Sequence, residues 1–151
     1  MKDEGGMTAV RNGAYWQLRL MPGEEIIATL AGFVRRQRIK SGFLTAIGAA
    51  EDITLGCFDP KTRIYHKRTF KGDHEVAALV GNVAWDGRNP VCHVHAVIST
   101  PRLTTYAGHL FSGKVTVTLE VALVPGARRL GRRPDPFSGL KLLHLPALKP
   151  A

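Results

Sequence analysis

Beyond residue 42 the chain is patterned almost entirely as β-strand, and this feature restricts its fold more than any other. Segments rich in branched and aromatic residues alternate there with turn-forming Pro, Gly, Asp and Asn as far as Pro125. Small residues at 48–50 predict a bend within one long strand rather than a turn between two. The predicted strands cover residues 15–20, 43–58, 63–70, 75–83, 91–98, 105–111 and 115–124.

One segment, between the first two predicted strands, has the periodicity of a helix. Its apolar residues at one-face helical spacing are Ile26, Ile27, Leu30, Phe33 and Val34. Pro22 and two acidic residues precede them, which favours a helix start, and Ser41-Gly42 ends the segment. One helix with about seven strands predicts an α+β domain with a mostly antiparallel sheet.

The length of 151 residues and the hydrophobic share of 44% suit one domain with its own core. We expect an N-terminal extension over 1–14, the folded domain over 15–124 and a basic C-terminal tail over 125–151. No apolar run approaches the roughly 20 residues that span a bilayer. The first residues, which are acidic and glycine-rich, lack the basic and apolar blocks of a signal peptide. We therefore expect a cytoplasmic protein with no membrane association.

The chain carries a formal net charge of +9, which favours weak attraction to nucleic-acid phosphates. Six basic residues against Asp135 alone leave residues 124–151 with +5 of that charge. The sequence has no helix-turn-helix or zinc-finger pattern, so any nucleic-acid binding is expected to be non-specific. The weak candidates for such contacts are Arg128, Arg129, Arg132 and Arg133.

The two cysteines, Cys57 and Cys92, are too few for a disulfide framework. They also lack the paired spacing of a structural zinc module. Each lies in an apolar strand-like run, where a free cysteine usually packs as a small hydrophobe. We expect both thiols to be buried.

Three histidines have the spacing of a metal site. His93 and His95 stand two residues apart on a predicted strand, so both side chains leave the same face. A hairpin centred near Arg102 places His109 directly across from His95, where Cβ atoms on one face lie about 5 Å apart. Three neutral imidazoles with an open fourth position are typical of a zinc site that accepts a ligand. Gly108 leaves room there for a close backbone approach.

Spacing alone leaves an alternative open, because two strand histidines separated by one residue are also common in solvated or hydrogen-bonded roles. His66, His74 and His144 have no comparable partners in the sequence. Surface or structural roles are expected for these three.

The histidine segments resemble the signature of the PPC (plants and prokaryotes conserved) domain family, bacterial type. The matching segments are His93–His95, Gly108–Val115, Ser41–Ala49, Leu55–Asp59, Glu75–Asn82 and, in the tail, Arg133–Leu140. The resemblance implies a compact α+β domain, a divalent transition metal such as zinc on the three histidines, and a homotrimer. In plants the domain is joined to AT-hooks, but Gly131–Pro134 has the wrong residue order for that motif, so AT-hook binding does not carry over.

The resemblance implies that this chain is a metal-binding protein and a candidate for DNA binding or regulation. A more distant likeness to zinc-dependent acetolactate decarboxylase-like proteins supports an alternative, a zinc-dependent lyase or hydrolase acting on a small carbonyl or ester compound. Its weak catalytic candidates are Glu51 and Glu75 as proton carriers and Arg102 as an anion clamp, although each is also compatible with a structural role. A third hypothesis is a module whose sheet docks a partner protein.

Overall fold

The computed structural model describes residues 6–147. The first five residues of the predicted extension and the last four of the predicted tail, including Lys149, lie outside the described residues. The elements in chain order are β1 (Thr8–Asn12), β2 (Tyr15–Leu20), α1 (Ile26–Arg36), β3 (Gly42–Asp59), β4 (Ile64–Phe70), β5 (His74–Asp86), β6 (Asn89–Ser99), β7 (Thr105–Pro125), β8 (Gly131–Pro134) and β9 (Lys141–His144).

The predicted fold class is confirmed. The described part of the chain has nine strands and one helix, and every strand pair is antiparallel except a single parallel bridge between β5 and β8. Three strands were not predicted, and all come from the chain ends: β1 lies in the predicted extension, and β8 with β9 forms a hairpin in the predicted tail. Two predicted strands merge into β7, which gives the total of nine.

The sequence predicts that residues 22–25 open the helix and that Ser41-Gly42 ends it, whereas the helix itself spans only Ile26–Arg36. The Glu25 side chain accepts a hydrogen bond from the Ala28 N–H and so caps the first turn. The backbone leaves the helix after Arg36, and Arg38 has a φ of +53°. The buried face consists of Ile26, Leu30, Phe33 and Val34, four of the five residues that define the predicted apolar face.

Four strands close on one another through their pairings. β3 pairs with β5 and β7, and β6 pairs with the other side of the same two strands. The helix packs against β6 and β7. The buried core lies on the inner face of this arrangement and is almost entirely aliphatic, with Leu44, Leu79, Val94 and Leu119 fully buried. This closed pairing fixes β6 and β7 against each other.

The predicted bend at 48–50 is confirmed as a pair of register shifts. The pairing of β3 with β5 slips between Ala46 and Gly48, and the pairing with β7 slips between Gly48 and Ala50. The segments predicted as two strands at 105–111 and 115–124 form the single long strand β7. One continuous strand is possible because β6 pairs with its first part and β3 with most of its length.

The two cysteines differ in burial. Cys92 is buried in the core as predicted, and burial raises the pKa of its thiol to about 12. The prediction for Cys57 is wrong, because this residue is exposed. It pairs with His66 of β4 close to the end of β3, and an apolar run does not reveal where along a strand burial ends.

The segment after Pro125 folds back onto the domain. The Trp85 N–H donates to the Leu130 carbonyl, and the Ser41 hydroxyl donates to the Arg128 carbonyl. Asp86 pairs with Lys141 of β9. These contacts hold the β8–β9 hairpin beside the end of β5. Among residues 6–147, no helix is long and apolar enough to cross a membrane.

Candidate metal centre

The histidine triad, His93, His95 and His109, lies on the outer face of β6 and β7. His95 and His109 are direct cross-strand partners, which confirms the registry predicted from a hairpin centred near Arg102. The ring centroids are 5.1–5.5 Å apart. One ligand nitrogen from each ring lies within 4.8 Å of the others. The strand alternation therefore brings all three imidazoles together.

Gly108 allows β3 and β7 to approach closely beside the triad. A Cβ atom at this position would lie 2.9 Å from the Gly56 carbonyl oxygen, closer than real Cβ contacts. Gly56 is the cross-strand partner of His109 on β3. A side chain at 108 would separate the two strands, so the predicted role of this glycine agrees with the packing.

Two aromatic rings hold His109 in place. Its ring centroid lies 4.7 Å from that of Phe111 and 5.4 Å from that of Tyr65, which reaches across from β4. His93 and His109 are half-buried, whereas His95 is exposed. The triad is thus open to solvent on the His95 side and enclosed by aromatic residues on the His109 side.

The surroundings of the triad favour neutral imidazoles. Burial is the main cause that lowers the pKa of His109 to about 4, and the neighbouring charges of His93, His95, Arg132 and Lys67 lower it further. Burial, followed by the charges of Arg132 and His95, also lowers the pKa of His93. A metal ion binds only unprotonated imidazole, so these shifts keep the nitrogen lone pairs available at neutral pH.

The donor set fits a divalent transition metal. The Nδ1 atom of His109 is buried and has no hydrogen-bond partner in the described part of the chain. A buried polar atom without a partner is costly, and a bound ion or a water molecule would satisfy it. Zinc bonds to imidazole nitrogen at about 2.0–2.1 Å, so modest rotations of the three rings would bring them onto one ion. Three protein ligands would leave a fourth position open.

A cavity of about 440 Å³ opens beside the triad. Its wall includes Ile27, Tyr65, Lys141 and Leu142, which no local pattern in the sequence connects to the histidines. Phe111 also lines it and stands two residues after His109 on β7, so strand alternation could have indicated it. Arg132, which the sequence suggested only for nucleic-acid contacts, lies in the same wall.

The structure does not bring the three catalytic candidates to the triad within one chain. Glu75 faces Ser99, four residues along β6 from His95 and therefore roughly 13 Å away. Glu51 pairs with Lys114, five residues along β7 from His109. Arg102 lies exposed in the turn between β6 and β7, at the far end of that hairpin.

The four tail arginines have different environments. The guanidinium of Arg129 lies 3.9 Å from the centroid of the Trp85 ring and donates to the Gly87 carbonyl. Arg132 is half-buried in the cavity wall, whereas Arg128 and Arg133 are exposed. Only part of the tail's charge is therefore free to attract phosphate groups.

Comparison with known sequences places the chain close to one protein family. The family model described as the Plants and Prokaryotes Conserved (PCC) domain matches residues 7–125. Two curated relatives, each a bifunctional protein GlmU from a Synechococcus strain, are 32% identical over 133 and 139 residues. Each match covers 86% of this chain and 20% of the relative. The chain thus spans about a fifth of the length of these relatives.

Solved structures with the same fold include three informative neighbours. A candidate DNA-binding protein from Bacteroides thetaiotaomicron is 26% identical, with a TM-score of 0.88 over 93% of this chain and 98% of that one. A metal-containing protein from Archaeoglobus fulgidus is 27% identical, with a TM-score of 0.81 over 89% and 96% of the two chains. A plant- and prokaryote-conserved (PPC) protein from Pyrococcus horikoshii, 24% identical with a TM-score of 0.81 over 95% and 98%, shows the shared fold.

Proposed function

Because this chain belongs to the Plants and Prokaryotes Conserved (PCC) domain family, we propose that it is a metalloprotein in which the histidine triad holds one divalent ion. Zinc suits three imidazoles, and another divalent transition metal of similar ligand preference would also fit. The open fourth position makes this a site that accepts a ligand. In such a protein the metal supplies a point of attachment for a small molecule.

The observation that carries the proposal is the cross-strand pairing of His95 with His109, two residues from His93 on the same face. The low pKa values of His93 and His109 support it, since the rings need not release protons at neutral pH. The metal-containing relative from Archaeoglobus fulgidus, at 27% identity, adds support from within the same fold.

Metal analysis tests the proposal directly. Purified protein is stripped with a chelator, dialysed, and titrated with zinc by calorimetry, with elemental analysis of the product. We expect about one zinc ion per chain with micromolar or tighter affinity. His144→Ala is the matched control, because His144 is an exposed histidine on β9 outside the triad. Absence of zinc uptake at micromolar concentrations would refute the metal site.

DNA binding is a second candidate function, supported by the net charge of +9 and by the Bacteroides thetaiotaomicron relative described as a candidate DNA-binding protein. It also requires the cytoplasmic location expected from the sequence. We propose weak binding without sequence preference, in which exposed cations neutralise phosphates. Such binding is regulatory only if the metal site or a partner controls it.

The salt dependence of DNA affinity tests this second function. Replacing Arg128 and Arg133 with Gln should reduce the slope of log K against log salt by up to about 2, since each phosphate contact contributes about 0.9. Arg102→Gln removes an exposed charge at the distant β6–β7 turn and is the control. Tight binding that survives high salt and distinguishes sequences would contradict a purely electrostatic contact.

The enzyme alternative, a zinc-dependent lyase or hydrolase related to acetolactate decarboxylase-like proteins, has weaker support. Glu51, Glu75 and Arg102 lie away from the triad within one chain, and no substrate follows from the cavity residues alone. The identity of the ligand in the cavity would therefore determine whether the ion activates that molecule or only holds it.

We also propose that the chain assembles as a homotrimer. The family resemblance supports this, and so do apolar side chains on the outer face of the sheet. Phe43 and Val124 are cross-strand partners there with exposures of 55% and 48%, and Val80 follows on β5 at 46%. Another copy of the chain would cover this apolar surface.

A further inference from the structure

We propose that the cavity beside the triad binds a small organic carboxylate, which Arg132 holds at the open coordination position of the metal ion. The inference rests on the proposed metal site and names the chemical class of its ligand. It follows from three features: an arginine without a counter-ion, its position beside the histidines, and the apolar lining of the remaining cavity.

The Arg132 side chain is half-buried, and its charge has no partner of opposite sign among the residues that the structure describes. Its Nη1 atom donates to the Lys141 carbonyl and its Nη2 atom to the Asn82 side-chain oxygen, both at 3.1 Å. Its Nε atom is buried without a hydrogen-bond partner among residues 6–147. None of the carboxylates described for this chain forms an ion pair with it.

An arginine placed in this way is unfavourable on its own. Burial lowers the pKa of Arg132, which shows that its charged form loses solvation. The acidic residue in the cavity wall, Asp86, is already paired with Lys141. A buried cation is normally compensated by an anion, and a guanidinium fork matches the two oxygens of a carboxylate. The unused donors of Arg132 therefore indicate an anion that is not part of the described chain.

The guanidinium is positioned next to the triad by its Asn82 contact. Asn82 is the cross-strand partner of His93, and Arg132 and His93 both line the cavity. The charge of Arg132 also contributes to the low pKa values of His93 and His109, so it lies within electrostatic reach of both rings. A divalent ion on the triad would add to this positive charge. An anion between the ion and Arg132 would offset both.

The remaining cavity walls indicate which chemical group the ligand has besides its carboxylate. Tyr65, Phe111, Ile27 and Leu142 present aromatic and aliphatic surface to the cavity. Its volume of about 440 Å³ is at the small end of the range for ligand sites. Apolar walls favour an organic body over a bare inorganic anion, because an inorganic ion would leave that surface exposed to water. The ligand class is therefore a small carboxylate with an apolar group.

Calorimetric titration of the zinc-loaded protein with benzoate tests the inference. Benzyl alcohol retains the ring without the charge, and inorganic phosphate retains charge without the ring. We expect benzoate to bind at least about tenfold more tightly than either compound. Benzyl alcohol lacks the charge-assisted hydrogen bond, which is worth more than that factor, and phosphate leaves the apolar walls exposed to water. Equal binding of benzyl alcohol and benzoate would overturn the inference, and so would preferential binding of phosphate.

Variants of the two neighbouring arginines identify the residue responsible. Arg132→Gln should weaken benzoate binding at least about tenfold, because the guanidinium fork is lost. Zinc uptake should persist, because the three histidines are unchanged. Arg133→Gln is the matched control on the exposed side of β8 and should change benzoate affinity less than about twofold. If circular dichroism shows that Arg132→Gln unfolds the protein, Arg132→Lys takes its place, since Lys keeps the charge without the fork. Weaker benzoate binding by Arg132→Lys would support the assignment, and unchanged binding would overturn it.

Failure of this inference can be distinguished from failure of the metal site. Protein that binds no zinc refutes both, and elemental analysis reports this before any benzoate is added. If the protein binds zinc but shows no heat of binding with benzoate, the metal site stands and the carboxylate assignment is overturned. The same holds if substitution of Arg132 leaves the benzoate affinity unchanged. Cobalt-substituted protein adds an independent readout, because a carboxylate entering the open position should change its visible spectrum.

Discussion

At the scale of single residues, the triad divides into one exposed histidine and two that are half-buried. His95 is reached from solvent, whereas His109 is packed between Tyr65 and Phe111. The enclosed rings resist protonation, and the proposed metal ion or its ligand would enter past the exposed ring. Substitution of the exposed histidine should therefore have different effects from substitution of a half-buried one.

Replacing His95 with Ala should abolish high-affinity metal binding and leave the protein folded. Losing one of three ligands is expected to weaken the affinity for zinc at least about a hundredfold. This exceeds the effect of losing a hydrogen bond that an outer residue makes to a ligand. The unfolding free energy of the metal-free protein should change by no more than about 0.5 kcal/mol, because His95 is exposed. Calorimetry with zinc and thermal melting by circular dichroism check both. Collapse of the fold would mean that the metal is a structural requirement, as in small zinc modules.

The metal-free protein should lose stability as the pH falls from about 6.5 to about 4. The folded state holds the pKa of His109 at about 4 against an ordinary value of 6.5, so only the unfolded state gains this proton within the window. Above 6.5 the imidazole is neutral in both states, and its contribution is constant. Urea unfolding at several pH values measures the slope, and His109→Gln should reduce it. An unchanged slope in that variant would show that other groups control the acid sensitivity.

At the scale of elements, the site depends on how closely β5 and β6 approach. Gly81 of β5 pairs with Val94, the residue between His93 and His95. A Cβ atom at Gly81 would lie 2.2 Å from the His93 carbonyl oxygen. The two strands can therefore keep their separation only with glycine here, and the position of both histidines follows from it.

Gly81→Ala should move β6 and weaken both fold and metal site. Overpacking of this kind costs about 1–3 kcal/mol of unfolding free energy, and the displaced histidines should bind zinc at least about tenfold more weakly. Gly32→Ala on the helix is the control, since its nearest neighbour is the flexible end of Arg36. Urea unfolding and zinc calorimetry report the two effects. Normal zinc affinity in a destabilised Gly81→Ala protein would show that the site does not depend on the spacing between β5 and β6.

At the scale of the whole molecule, the pairing of β3, β5, β6 and β7 into a closed set buries one face and leaves the other partly apolar. The core face packs on α1, and the outer face carries both the triad and apolar residues such as Phe43 and Val124. A further copy of the chain is the occupant that we propose for this outer surface. Assembly and metal site would then share one face of the sheet.

Light scattering should report a mass of about three times 16.5 kDa at micromolar concentration. Phe43→Glu should shift the protein toward the monomer, because a charge at a buried apolar contact is costly. Val10→Glu provides the control, since Val10 is comparably exposed at 59% but lies on the edge strand β1. A mass near 16.5 kDa for the unmodified protein would contradict the trimer.

Features that depend on local periodicity could be predicted from the order of residues in the chain. The apolar face of α1, the bend at 48–50 and the pairing of His95 with His109 all follow from residue spacing, because strand and helix geometry repeat over a few residues. A hairpin adds only one unknown, the centre of its turn. This is why the three histidines could be predicted to lie together before the structure was known.

The folded molecule was needed to reveal which distant segments meet. It showed Cys57 to be exposed, joined two predicted strands into β7, and placed Arg132 against Asn82, 50 residues earlier in the chain. No local pattern encodes such contacts, because they depend on the order of strands in the sheet and on where the C-terminal hairpin packs. The three histidines come from neighbouring strands, whereas the proposed ligand pocket is built from segments that only folding brings together.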